Sequence, residues 1–362
     1  MWEHVEGTLD HVTSHVIDLI EAAYDLEKPD SDWLPSLLDA GGPILDHGLG
    51  VAADEFTLTP RSEGADIAIH TMHLRSLPPD FPARVAESMV GLSPEVIASL
   101  NSHGLATTLS DASKGYAAEV AGALRILGYA DLLGMLAIDP SGAGVRIVAP
   151  LSEVTRLTPK RRERWQMLGA HIAAAYRLRR ALTAEGGQPR IDSTELPHEA
   201  EAILDANGFR IVESAGRAQE ANASAALRRA ARRVDRARGK LREADPGRAL
   251  MSWKALVSGR WSIVDWFDSD GRRFVLAMPN PPGLQDPRGL TMQERQVVRY
   301  VLLGETNKLI AYSLGLSPGR VSGLLKSAMR KRGVTTRTQL VEKLHPLGVP
   351  PGGNGDDQSS DN

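Results

Sequence analysis

The sequence contains no cysteine in 362 residues. That excludes a disulfide framework, thiolate zinc, thiolate iron-sulfur ligation and a cysteine nucleophile. No G-x-x-x-x-G-K-[ST] phosphate loop occurs either. The opening "MWEHVEGTLDHV" lacks a basic region followed by an apolar one, so no secretory signal is expected. The longest apolar-leaning run, Ala117 to Ile138, is broken by Glu119, Arg125 and Asp131, which would be expensive in lipid. A soluble, cytoplasmic chain without membrane contact is the expectation. Metal ligands are equally sparse. His11, His15 and Asp18 lie a helical turn apart but have no third strong ligand nearby, and His70 and His73 fall on opposite faces of a strand. "DSDG" at 268–271 suits a hairpin turn better than a calcium loop, which spreads its ligands over twelve positions. No metal, cofactor or catalytic residue is expected.

What is present is a globular composition, 42% hydrophobic and 24% charged, on a chain long enough for two or three domains. The net charge of −3 conceals an asymmetry. Residues Pro287 to Pro346 hold eleven Lys or Arg against Glu294, Glu305 and Glu342, a surplus of eight, which leaves −11 for the remainder. An acidic body with a basic carboxy-terminal module is the charge layout of a nucleic-acid binder.

Periodicity organises the body. Residues 1–30 read as a helix with Val12, Val16, Ile17, Ile20 and Ala23 on one face. Two strand-like runs follow, "GLGVAADEFTL" and "ADIAIHTMHL", then a helical stretch from Ala83 to Leu100. A hairpin is predicted from "LLGMLAI" and "VRIVAPL" around "DPSGAG". Thr158 and Pro159 open a long helix striped with Trp165, Leu168, Ile172, Ala175 and Leu182. This order over 1–184 resembles a GAF-type sensory domain of α/β build. After a polar linker at 185–197, residues 198–282 carry hairpin signals at Asn207-Gly208 and Asp270-Gly271, both dipeptides suited to positive backbone torsions. Strands at both ends with helices between them resemble a small PAS-type α/β domain. Within it, Leu227, Val234 and Leu241 stand seven apart among arginines; a solvated basic helix covering a sheet is favoured over a coiled-coil dimer contact or an extra phosphate contact. The tail, 347–362, has the composition of a disordered segment.

Between 287 and 346 the punctuation predicts an all-α unit of four helices. Thr291 and Glu294 form a capping box, and Val297, Val298, Val301 and Leu302 make a buried face ended by Gly304. A second helix starts at Thr306, buries Ile310, Ala311 and Leu314, and exits at Gly315. A third, about 318–331, is capped by Ser317 with Pro318 at its first position. Thr336 caps a fourth, with Leu340, Val341 and Leu344 inward. In the third helix Val321, Leu324, Leu325 and Ala328 fall on one side. Gly319, Ser322, Gly323, Lys326 and Arg330 fall on the other, a slim cationic flank of the kind a major groove about 12 Å wide admits.

These residues resemble the carboxy-terminal helix-turn-helix of LuxR-type transcription regulators, through "LTMQERQVVRYVLLGETNKLIA", "LGLSPGRVSGLLKSAMRKRGV" and "RTQLV". Region four of sigma factors is related, but "RGV" and "RTQLV" favour the LuxR type. The resemblance implies double-stranded DNA as partner and base contacts from Arg320, Ser322, Gly323 and Lys326, to which the composition of the slim flank adds Arg330. It implies phosphate contacts from Asn307, Lys308 and Lys331; Thr306, at the free-amide end of the second helix, and Arg337 are expected to join them. A homodimer on a two-fold related site is the expected mode of binding, and the order of the units alone suggests an unknown small-molecule or protein effector at the amino-terminal region. The sequence departs from the family where Leu309 replaces Glu, Arg320 replaces Thr, Ser322 replaces Lys and Leu324 replaces His. Leu324 adds to the core; Arg320 and Ser322 alter the expected base preference. The absent phosphate loop sets the chain apart from the ATP-dependent members. Two other functions compete: a signalling adaptor whose helix-turn-helix binds protein, and an enzyme with an amino-terminal α/β catalytic domain.

Overall fold

The computed structural model describes residues 15–60, 65–93, 96, 106–112, 115–139, 141–184, 196–280 and 290–344. Val12, His11 and the tail lie outside the described residues.

The amino-terminal unit is an antiparallel five-stranded sheet in the order β2-β1-β5-β4-β3. Its strands are β1 (Val51–Pro60), β2 (Ala65–Arg75), β3 (Ala106–Thr108), β4 (Asp131–Ile138) and β5 (Ala143–Leu151). One face is covered by α1 (15–23), α2 (Asp30–Leu45) and the long α5 (Pro159–Ala184). The other carries α3 (Phe81–Val90) and α4 (Ala117–Leu127). Strand β4 alternates strictly: Leu133, Met135 and Ala137 turn to α5, while Leu132 and Leu136 turn to the opposite face. The predicted cap holds, with Thr158 Oγ1 accepting from Arg161 N at 3.3 Å. The helix expected over residues 1–30 is shorter, however. It stops at residue 23, and a fresh helix starts at Asp30 after Pro29, so that Trp33 can send its indole N–H back to the Ala23 carbonyl at 3.1 Å.

The second unit is a four-stranded antiparallel sheet, β7-β6-β9-β8. It comprises β6 (Ala202–Asp205), β7 (Ile211–Ser214), β8 (Trp261–Phe267) and β9 (Arg273–Pro279), with α6 (Ala223–Arg238) and α7 (Pro246–Ser252) between the pairs. The two hairpins differ from expectation. Gly271 takes the left-handed torsion predicted for it (φ 72°), but at the β6–β7 turn the positive φ falls on Phe209 (53°) and not on Asn207 or Gly208. Asp205 explains the shift: its carboxylate accepts from Gly208 N and Arg210 N, winding a longer turn that leaves Phe209 to reverse the chain. Helix α6 buries Leu227, Ala231 and Val234 against the sheet and exposes Arg229, Arg232, Arg233 and Arg236, as the solvated-helix reading expects, whereas Arg228 is half-buried and Arg238 is drawn inward to Glu21 and Asp265.

The third unit has four helices, α8 (Met292–Leu302), α9 (Asn307–Leu314), α10 (Pro318–Arg332) and α11 (Arg337–Leu344). It does not hang free from the others. A single hydrophobic cluster runs from Val16 and Leu168 through Trp253 to Tyr312 and Leu340.

Candidate nucleic-acid interface

Each helix of the third unit begins at the residue its chemistry marks. The reciprocal capping box of Thr291 and Glu294 is formed, and Thr306 Oγ1 and Ser317 Oγ accept from Leu309 N and Arg320 N at 3.3 and 3.2 Å. Left-handed glycines end the helices: Gly315 (φ 63°) makes the turn into α10 and Gly333 (φ 64°) closes it. Burial of Glu294 alone would raise its pKa, but hydrogen bonds from Lys331, Ser327 and Thr291 outweigh that and hold it down at about 2.

Helix α10 presents the two faces expected of a reader. Val321, Leu324, Leu325 and Ala328 are buried against α8 and α9, so Leu324 joins the core where the family has His. Gly319, Ser322, Gly323, Lys326 and Arg330 are exposed, and a Cβ placed on Gly319 or Gly323 would meet nothing within 4 Å. That flank is flat enough to enter a groove.

The structure draws several of the predicted contacts together. Asn307 Nδ2 donates to Ser322 Oγ at 3.3 Å while Asn307 Oδ1 accepts from Arg337 Nη1 at 3.3 Å, linking the starts of α9 and α11 to the groove-facing flank. Arg320 is exposed and donates to Gln293 Oε1 at 3.0 Å. Lys308 is exposed and ion-paired to Glu163 at 2.5 Å. Lys331 is paired to Glu294 at 2.7 Å, and Arg337 also donates to the Glu305 carbonyl.

The outer face of α9 carries what sequence reasoning missed. Leu309, Tyr312 and Ser313 are buried along with the expected Ile310, Ala311 and Leu314. Leu309 seats on Phe56 and Ile138 of the first sheet. The Tyr312 hydroxyl donates to the carbonyls of Leu250 and Trp253 at 2.7 and 2.8 Å and lies 2.9 Å from His171 Nε2. His171 Nε2 is also 3.0 Å from the Trp253 carbonyl, which requires that nitrogen to carry the proton. Burial lowers the His171 pKa to about 3, so the ring stays neutral. Gly259 N donates to the Leu314 carbonyl at 2.6 Å, and Gly315 lies so close to the Leu256 carbonyl that no side chain fits. The one available sequence signal was the departure from the family pattern at Leu309: an apolar residue where a charged one is usual.

Residues 288–344 match the family model described as bacterial regulatory proteins, luxR family. The third unit is thus a luxR-family helix-turn-helix domain, and its presence places the chain in the class of DNA-binding transcription regulators. No curated protein matches the chain. Among solved structures, Escherichia coli SdiA is similar over 82% of this chain and 84% of that one, at 11% identity and a TM-score of 0.24; a likeness this slight fixes neither domain identity nor arrangement. Among the described residues no group of three His, Asp or Glu could hold a metal, and no helix is long and apolar enough to cross a membrane.

Proposed function

We propose that the protein is a sequence-specific transcription regulator that binds double-stranded DNA as a dimer, with α10 in the major groove and the first two units acting as GAF-like and PAS-like sensory or dimerising modules. The observation that carries this reading is the exposed flank of α10, slim at Gly319, Ser322 and Gly323 and cationic at Lys326 and Arg330, backed by a buried apolar face. In this arrangement Lys326, Arg330 and Arg320 reach base edges, and Ser322 and Gly323 permit the approach. Thr306, Asn307 and Lys308 offer a phosphate the free amides and positive dipole end of α9. Lys331 and Arg337 reach phosphate by exchanging their present partners within the domain. Half-sites then lie about one duplex turn apart.

Selection of bound fragments from random DNA tests the proposal. The full chain should recover a two-fold related motif, and Lys326→Ala should relax one base position, at a cost of about 1–3 kcal/mol there. Recovery of no preferred sequence by the full chain would refute specific reading; a uniform loss with Lys326→Ala would move that residue to the phosphate backbone.

A further inference from the structure

Helix α6 carries its exposed arginines in one stripe. Arg229, Arg232, Arg233 and Arg236 recur at i, i+3, i+4 and i+7, opposite the buried Leu227, Ala231 and Val234. At 1.5 Å per residue the stripe is about 10 Å long. Arginines that follow it are engaged within the fold: Arg238 pairs with Glu21 and Asp265, and Arg242 with Asp18 and Glu21. The one acid of α6, Asp235, is held by Arg273 at 3.2 Å. Among the described residues none of the four stripe arginines has an ion-pair partner. A face built for solubility intersperses both signs, whereas here neighbouring guanidinium groups repel one another with no carboxylate between them.

The stripe also continues into the reader. Lys254, half-buried just beyond α7, lies over the Tyr312 ring with Nζ 4.3 Å from its centroid. Burial, and then the charge of Arg233, bring the Lys254 pKa down to about 8; Glu163 opposes them and Lys308 adds to them, which sets all four side chains in one electrostatic neighbourhood. Lys308 stands in the first turn of α9, where the proposed complex places a phosphate. A second bridge meets the start of α10: Gln293 donates to the Ser258 carbonyl at 3.1 Å and accepts from Arg320 at 3.0 Å. The second unit therefore borders the amino ends of both helices that face DNA.

We infer that α6 is a second DNA-contacting element, its arginine stripe binding phosphates of the same duplex beside the half-site read by α10, with Lys254 bridging the two surfaces. This rests on the DNA-binding reading. A duplex carries one charge per about 1.7 Å of its axis, so a stripe about 10 Å long spans several phosphates. Guanidinium groups match phosphate oxygens in pairs. Phosphate contacts carry no base information, so the stripe adds affinity and fixes orientation while α10 sets the preferred sequence.

The test uses the full chain and the motif it selects from random DNA, once with about one helical turn of flanking duplex on each side and once trimmed to the motif. Affinity is measured between about 50 and 200 mM salt. Arg229→Ala, Arg233→Ala and Arg236→Ala combined should lower the salt slope by about two to three on the long duplex and leave it unchanged on the trimmed one. Trimming should cost the native chain the same amount. The selected motif and the urea midpoint should be those of the native chain, and Lys at all three positions should restore most of the slope, since the charge is kept. An unaltered slope on the long duplex, or an equal loss on both duplexes, would overturn the inference. Loss of binding to phosphatidylglycerol vesicles with an unaltered DNA slope would assign the stripe to an anionic membrane surface instead. Failure of the native chain to select any motif would sink the DNA-binding reading itself, whereas an unaltered slope on a selected motif sinks only the second element.

Discussion

Glu305 is a buried carboxylic acid at the end of the first reader helix, with Oε1 unpartnered. Burial raises its pKa to about 8, and Arg337 offsets only part of that. The folded state therefore keeps a proton that the unfolded chain releases above its ordinary 4.5, so stability from this residue falls as pH rises from 4.5 to 8. Glu305→Gln should leave stability unchanged below pH 4.5 and raise it by about 1–3 kcal/mol at pH 8, read by urea unfolding at both values. Glu294 has the opposite sign. Its folded pKa is depressed, so its contribution is present above 4.5 and lost as pH falls towards 2. Glu294→Gln should cost about 1–2 kcal/mol at neutral pH and nothing at pH 2.

At the scale of the element, α9 is unusual because it has no solvent face along most of its length. One side builds the helix-turn-helix core and the other is capped by the Phe56–Ile138 seat and the Tyr312 hydroxyl. Tyr312→Phe removes a donor from two buried carbonyls and should cost about 1–3 kcal/mol in a thermal or urea unfolding assay. Gly315→Ala should cost more, because its positive φ and the Leu256 carbonyl both oppose a side chain. Lys308→Ala should barely change stability, the Glu163 pair being exposed and worth about 0–1 kcal/mol, while lowering the salt slope of DNA binding by about one. An unchanged slope would remove Lys308 from the phosphate contacts.

The whole molecule joins its three units around a ring cluster drawn from distant segments: Tyr24 stacks on Trp253, and His171 meets Trp253 and Tyr312 edge-on. His171 is neutral when folded and ordinary when unfolded, so acid favours the unfolded chain from pH 6.5 down to about 3. The native protein should lose up to about 2 kcal/mol between pH 6.5 and 5 relative to His171→Gln, the difference between the two isolating this group from the opposing effect of Glu305. One shared core also implies one cooperative thermal transition for the described units, and Leu309→Glu should separate the reader's melting from that of the body in calorimetry.

The sequence by itself determined whatever depends on near neighbours. Thr291, Ser317, Pro318, Gly315 and Gly333 mark helix ends within a few residues of the groups they satisfy, and the i, i+3, i+4 spacing of Val321, Leu324, Leu325 and Ala328 fixes which side of α10 faces inward. Strands β1 and β2 were legible as strand-like runs, and β4 and β5 as apolar runs around the turn "DPSGAG", again from near neighbours, whereas the short β3 was not. What only the tertiary structure decided are the pairings across long stretches of chain. Arg146 reaches Asp54 from 92 residues away, and Tyr312 reaches His171 from 141. A tyrosine or leucine on the outer side of a short helix carries no local sign of its partner, since burial is a property of the surface it meets. The reader was therefore written in the order of residues; its attachment to the first sheet, through Leu309 on Phe56 and Ile138, was settled by packing.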